Sequence, residues 1–61
     1  MEKNMLIKSE FNANDAYLRL FHDVFDRKYT FIIRHNDGLS FKTEYQSYDE
    51  ANKEYLKHSE V

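Results

Sequence analysis

The only glycine in the sequence, Gly38, lies between two runs of alternating side chains. Tyr29-Thr30-Phe31-Ile32-Ile33-Arg34-His35 precedes Asn36-Asp37-Gly38, and Leu39-Ser40-Phe41-Lys42-Thr43-Glu44-Tyr45 follows it. Period-2 runs joined by turn residues predict a β-hairpin, and the hydrophobic pattern selects its register. A two-residue Asp-Gly turn would set Ile33 opposite Lys42 and Phe31 opposite Glu44, mixing the faces. A three-residue loop ending in a left-handed Gly38 pairs Ile33 with Phe41 and Tyr29 with Tyr45. One face then carries Tyr29, Phe31, Ile33, Leu39, Phe41 and Tyr45, and the other Thr30, Ile32, Arg34, Ser40, Lys42 and Glu44.

At 61 residues the chain is expected to form one compact domain, near the lower limit for folding without a staple. There is no cysteine to supply a disulfide or a thiolate metal site. Met1-Glu2-Lys3-Asn4-Met5-Leu6-Ile7 holds an apolar run too short for a secretory leader or a membrane span, so a cytoplasmic protein is expected. Ten aromatic residues argue against disorder. The frequent Asn, Lys, Ile, Tyr and Phe, residues with AT-rich codons, suit an AT-rich bacterium, one of its phages or a mobile element.

Asn12 to about Arg27 reads as an amphipathic helix. Ala13, Ala16, Tyr17, Leu20, Phe21, Val24 and Phe25 recur at helical spacing, with Leu18 off the stripe. Asn12 would be its N-cap and Phe11 a staple onto Ala16. Asp15–Arg19 and Asp23–Arg27 would be pairs on its outer face. A second helix is expected from Ser47, where Ser47-Tyr48-Asp49-Glu50 has the form of a capping box; Glu60 and Val61 are expected to fray. Residues 5–9 read as a weak strand that could lie beside the third. The expected order is β-α-β-β-α, an α+β fold with a three-stranded, mainly antiparallel sheet and two helices on one face.

No catalytic constellation can be assembled, and no cofactor is expected. His22 and Asp26, one helical turn apart, could begin a metal site, but a metal needs three or four convergent ligands, so the pair reads as a solvated helix face. His35 is expected at the edge of the core and His58 in the last turn of the second helix. A phosphate cradle needs several glycines, and the single one is used in the turn. The chain therefore reads as a non-enzyme.

The exposed face of the hairpin is the candidate partner-binding surface, with Ile32, Arg34, Lys42 and Glu44 as its residues. Tyr55 and Leu56 are the helical pair most readily assigned to an interface; the other tyrosines read as packing residues. The leading expectation is a binding protein that occupies a partner protein's surface as an adaptor or inhibitor. A homodimer that completes the small core with a second copy is the alternative. Nucleic-acid binding through the sheet is disfavoured by the net charge of −2, and no membrane association is expected. The hairpin and capped helix are similar to the small sheet-reading DNA-binding domains at the N-terminus of phage-type tyrosine recombinases. That resemblance covers roughly half of the chain and rests on Phe41-Lys42-Thr43 and the helix around Ala51. Such domains present several Arg and Lys on the sheet, where this chain presents Arg34 and Lys42 beside Glu44. No family is assigned on it.

Overall fold

The computed structural model describes residues 4–60. Four strands, β1 (Asn4–Phe11), β2 (Tyr17–Asp23), β3 (Lys28–Arg34) and β4 (Ser40–Tyr45), are followed by one helix, α1 (Tyr48–Ser59). The strands form a single antiparallel meander in the order β1-β2-β3-β4, and α1 packs across one face. The expectation of three strands and two helices is therefore overturned, although helix and sheet still make two layers. Residues 5–9 do belong to a strand of this sheet, but it pairs with β2, not with the third strand, and no crossover is needed.

The expected helix over 12–27 is two turns and a strand. Asn12 Oδ1 accepts from the backbone N–H of Asn14 (2.8 Å) and of Ala16 (3.0 Å), and Asp15 takes the left-handed conformation at φ 62°. Asp23 Oδ1 accepts from the N–H of Phe25 and of Asp26, and Arg27 closes that turn at φ 55°. Asn and Asp thus satisfy turns with the groups that would have capped or lined a helix. Between them Tyr17–Asp23 alternates: Leu18 and Leu20 are fully buried, while Tyr17, Arg19 and Phe21 point to the other side. Leu18, excluded from the helical stripe, is a core residue. Val24 and Phe25, included in it, are exposed in the turn. The Asp15–Arg19 and Asp23–Arg27 pairs and the Phe11 staple disappear with the helix.

The hairpin of β3 and β4 has the three-residue loop and register read from the sequence. Ile33 faces Phe41 and Tyr29 faces Tyr45, with Gly38 at φ 98°. The helix begins where the capping box places it. Ser47 Oγ accepts from the Glu50 N–H at 3.3 Å, and its hydroxyl donates to the Glu50 carboxylate. At the far end the Glu60 N–H bonds the Leu56 carbonyl, and the fraying expected of Val61 lies outside the described residues.

The core is Ala16, Leu18, Leu20, Phe31, Ile33, Ala51 and Tyr55, with Tyr29 and Tyr45 packed against it. Ala51 lets the helix approach closely, and the Tyr55 ring meets Phe31 edge-on. Polar ties fasten the helix on the β1 side. Tyr55 Oη donates to Glu10 Oε1 at 3.0 Å, Lys8 Nζ bonds Asn52 Oδ1 and lies 4.4 Å over the Tyr55 ring, and Asn12 Nδ2 donates to the His58 carbonyl.

Candidate functional site: the open sheet face

Strand alternation assigns every second residue to the side of the sheet that α1 does not cover. Register then arranges these residues in rows across the strands. Phe11, Tyr17, Arg34 and Ser40 form one row. Ser9, Arg19, Ile32 and Lys42 form the next, followed by Leu6, Phe21, Thr30 and Glu44. Asn4, Asp23 and Lys28 close the face. Among the described residues nothing lies over it.

The β1–β2 half of the face is ordered by ring and guanidinium contacts. The Phe11 and Tyr17 rings lie 4.8 Å apart, and the Arg19 guanidinium sits 5.5 Å from the Tyr17 centroid and 5.7 Å from that of Phe21. Such placement holds a cation against two ring faces and limits its conformational freedom. Arg19 Nε is buried without a hydrogen-bond partner among the described residues. Ile32 is half-buried between Arg19 and Lys42, whereas Phe11 and Leu6 are exposed. A shallow hollow of about 200 Å3 opens beside them, lined by Arg19, Phe21, Thr30, Ile32, Lys42 and Glu44 among others. Lys28 Nζ approaches Glu44 at 3.9 Å. Arg19, Lys28, Arg34 and Lys42 outnumber Asp23 and Glu44, so this face is cationic on a chain of net charge −2.

Of the residues picked from the sequence, Ile32, Arg34, Lys42 and Glu44 all lie on this face. Tyr55 and Leu56 do not. Tyr55 is only 1% exposed, its ring is part of the core, and burial followed by the Glu10 hydrogen bond pushes its phenol up to about 12. Leu56 is exposed on the helix, on the far layer of the molecule. The residues missed are Phe11, Tyr17, Arg19 and Phe21. Their signal was the alternation Leu18-Arg19-Leu20-Phe21, masked by the overlapping helical stripe.

The histidines are spread over the covered side. His22 stacks on Tyr29 at 4.5 Å from its place on β2, so it does not share a helical face with Asp26. His35 meets Phe41 edge-on beside the turn. His58, in the last turn of α1 as expected, stacks on Phe31 and bonds Glu54 at 2.9 Å. Among the described residues no three of His, Asp and Glu gather as a metal-binding group, and no helix is long and apolar enough to cross a membrane. Compared with family models, curated proteins and solved structures, the chain matches none.

Proposed function

We propose that the protein is a non-enzymatic binding module that occupies a partner protein's surface with the open face of its sheet. The observation that supports this reading is the make-up of that face: Phe11 and Leu6 on the edge strand β1, Tyr17 and Phe21 on β2 and Ile32 on β3, with the Arg19 guanidinium set against the Tyr17 and Phe21 rings. Aromatic residues and arginine are the side chains that concentrate binding energy at interfaces. Arg19 is already held in place, so little ordering cost remains when a partner arrives. A complementary partner offers an apolar patch flanked by carboxylates that meet Arg34 and Lys42. An adaptor or inhibitor needs no chemistry beyond this occupation.

The same rings, set among four cations, favour a second reading: bases of a single-stranded nucleic acid stacked on Phe11, Tyr17 and Phe21. The two readings separate in one experiment. Tagged protein and the Ile32→Asp and Arg34→Glu variants are used to capture partners from host lysate, with and without nuclease. Purified protein is titrated with single-stranded oligonucleotides over a salt series. The expected result is a stoichiometric protein that survives nuclease and is lost from both variants. Retention of that protein by both variants places the interface elsewhere and overturns the proposal. Oligonucleotide affinity that falls steeply with salt, together with nuclease-sensitive capture, selects the nucleic-acid reading.

A further inference from the structure

The two edges of the sheet are built differently. Along β1 the register shifts between Leu6 and Lys8, a bulge at Ile7 of the kind that blunts an edge. Along β4 the pairing with β3 is unbroken from Arg34 and Ser40 to Tyr29 and Tyr45, and the chain contains no proline. The hairpin is closed by the His35 N–H donating to the Leu39 carbonyl at 2.7 Å. Alternation from that pair turns the backbone groups of Leu39, Phe41, Thr43 and Tyr45 toward β3, and those of Ser40, Lys42 and Glu44 outward. On the covered side the helix stops short of this edge. Phe41 is 56% exposed, and a hollow of about 290 Å3 runs between β4 and α1, lined by Phe31, Ile33, Phe41, Thr43, Glu54 and His58 among others.

We infer that β4 pairs antiparallel with β4 of a second copy about a two-fold axis through Thr43, making one continuous sheet with both helices on the same side. Residues directly opposite one another in an antiparallel pair share a face, so the axis must pass through a residue position. Centred on Lys42, it would set two lysines together; centred on Glu44, it would set two glutamates together. Centred on Phe41 or Tyr45, the overlap shortens. Centred on Thr43, Lys42 faces Glu44 of the second copy and Glu44 faces Lys42 of the second copy. These are also the residues whose backbone groups point outward, so the charge pairs and the ladder hydrogen bonds fall at the same positions. Phe41 then meets Tyr45 of the second copy on the covered side, where the hollow lies open.

A lone lysine on an edge strand deters edge-to-edge pairing, and Glu44, two residues along the same face, converts that deterrent into half of a reciprocal pair. Lys28 already stands 3.9 Å from Glu44, and Lys42 of the second copy brings another cation to the same carboxylate. The open face stays uncovered in this dimer and is doubled in extent.

Sedimentation equilibrium of the intact chain across a dilution series tests the assembly, and charge exchange tests its register. The expected mass is twice the 7.5 kDa of one chain, falling toward one chain on dilution. Lys42→Glu or Glu44→Lys alone spoils two symmetry-related pairs at once and should weaken the dimer about tenfold or more, whereas the double exchange restores it. Thr43→Cys, in a chain without other cysteines, should form an intermolecular disulfide on mild oxidation, and Ser40→Cys, far from its own copy in this register, should not. A monomer at every concentration overturns the inference. So does a dimer that is indifferent to both single exchanges or cross-links equally well through either cysteine. A monomer whose β4 instead captures an extended peptide of another chain also overturns it.

Discussion

The covered and open faces of the sheet come from the same strands and differ by one residue of register. In β2, Leu18 and Leu20 point to the helix and are fully buried, while Tyr17, Arg19 and Phe21 point away and stay half-buried without a second layer. The covered face is a small apolar centre ringed by polar ties to β1. The open face has aromatic groups of similar size, yet it carries four cations that a core would not tolerate unpaired. The contrast separates side chains that hold the fold from side chains that are free to bind, although the two sets alternate along one strand.

Substituting one residue on each face tests that separation most directly. Leu20→Ala removes a fully buried side chain facing Phe31 and should cost about 2–5 kcal/mol. A domain of this size is stabilised by only about 3–9 kcal/mol, so the variant should be largely unfolded at moderate temperature. Leu6→Ala, at a position 53% exposed on the open face, should change stability by less than about 0.5 kcal/mol. Paired urea titrations followed by circular dichroism check both, and equal losses would show that the faces do not differ as described.

How far the two faces could be read in advance follows from which signals are local. The hairpin of β3 and β4 was legible because a single glycine sat where a left-handed residue was needed, and only one register separated Phe31 and Ile33 from Thr30 and Ile32. The start of α1 was legible because Ser47 and Glu50 act within one turn of chain. β2 was not. Ala16, Leu20 and Val24 satisfy a helical period while Leu18 and Leu20 satisfy a strand period, and residues of both kinds share the segment. The outcome depends on Asn12 and Asp23 closing turns with their own side chains, and on Asp15 and Arg27 adopting left-handed conformations that no glycine announced. It also depends on β3 gaining a second neighbour, a long-range requirement that no window of sequence displays. With β2 unread, half of the open face was unread too: Ile32, Arg34, Lys42 and Glu44 were found, and Arg19 with its flanking rings was not.

A milder perturbation sharpens the view of how the covered face is tied to β1. Tyr55 has its phenol raised from 10.0 to about 12 by burial and by Glu10, so the folded state holds that proton more tightly than the unfolded chain does. The stability this supplies is present below about pH 10 and is lost as pH rises toward 12. Thermal melts of the native chain should therefore show a falling midpoint over that interval. Tyr55→Phe should remove Tyr55's share of that alkaline decline, at a cost of about 1 kcal/mol at neutral pH for the hydrogen bond to Glu10. An unchanged alkaline slope in the variant would mean that other groups carry it.

At Ile32 a small effect on stability is expected beside a large one on binding. Ile32→Asp introduces a carboxylate on the open face directly between Arg19 of β2 and Lys42 of β4. A strand interior disfavours aspartate, but here the new charge has an opposite charge on each side, and cross-strand pairs of that kind contribute roughly 0.2–1 kcal/mol each. The two effects nearly cancel, so the unfolding midpoint should move little while the apolar centre of the face is destroyed. A folded, thermally unchanged variant that has lost its partner would show that this face binds without supporting the fold. An unfolded variant would show instead that Ile32 contributes to the core through the sheet, and that the two faces are less independent than their alternation implies.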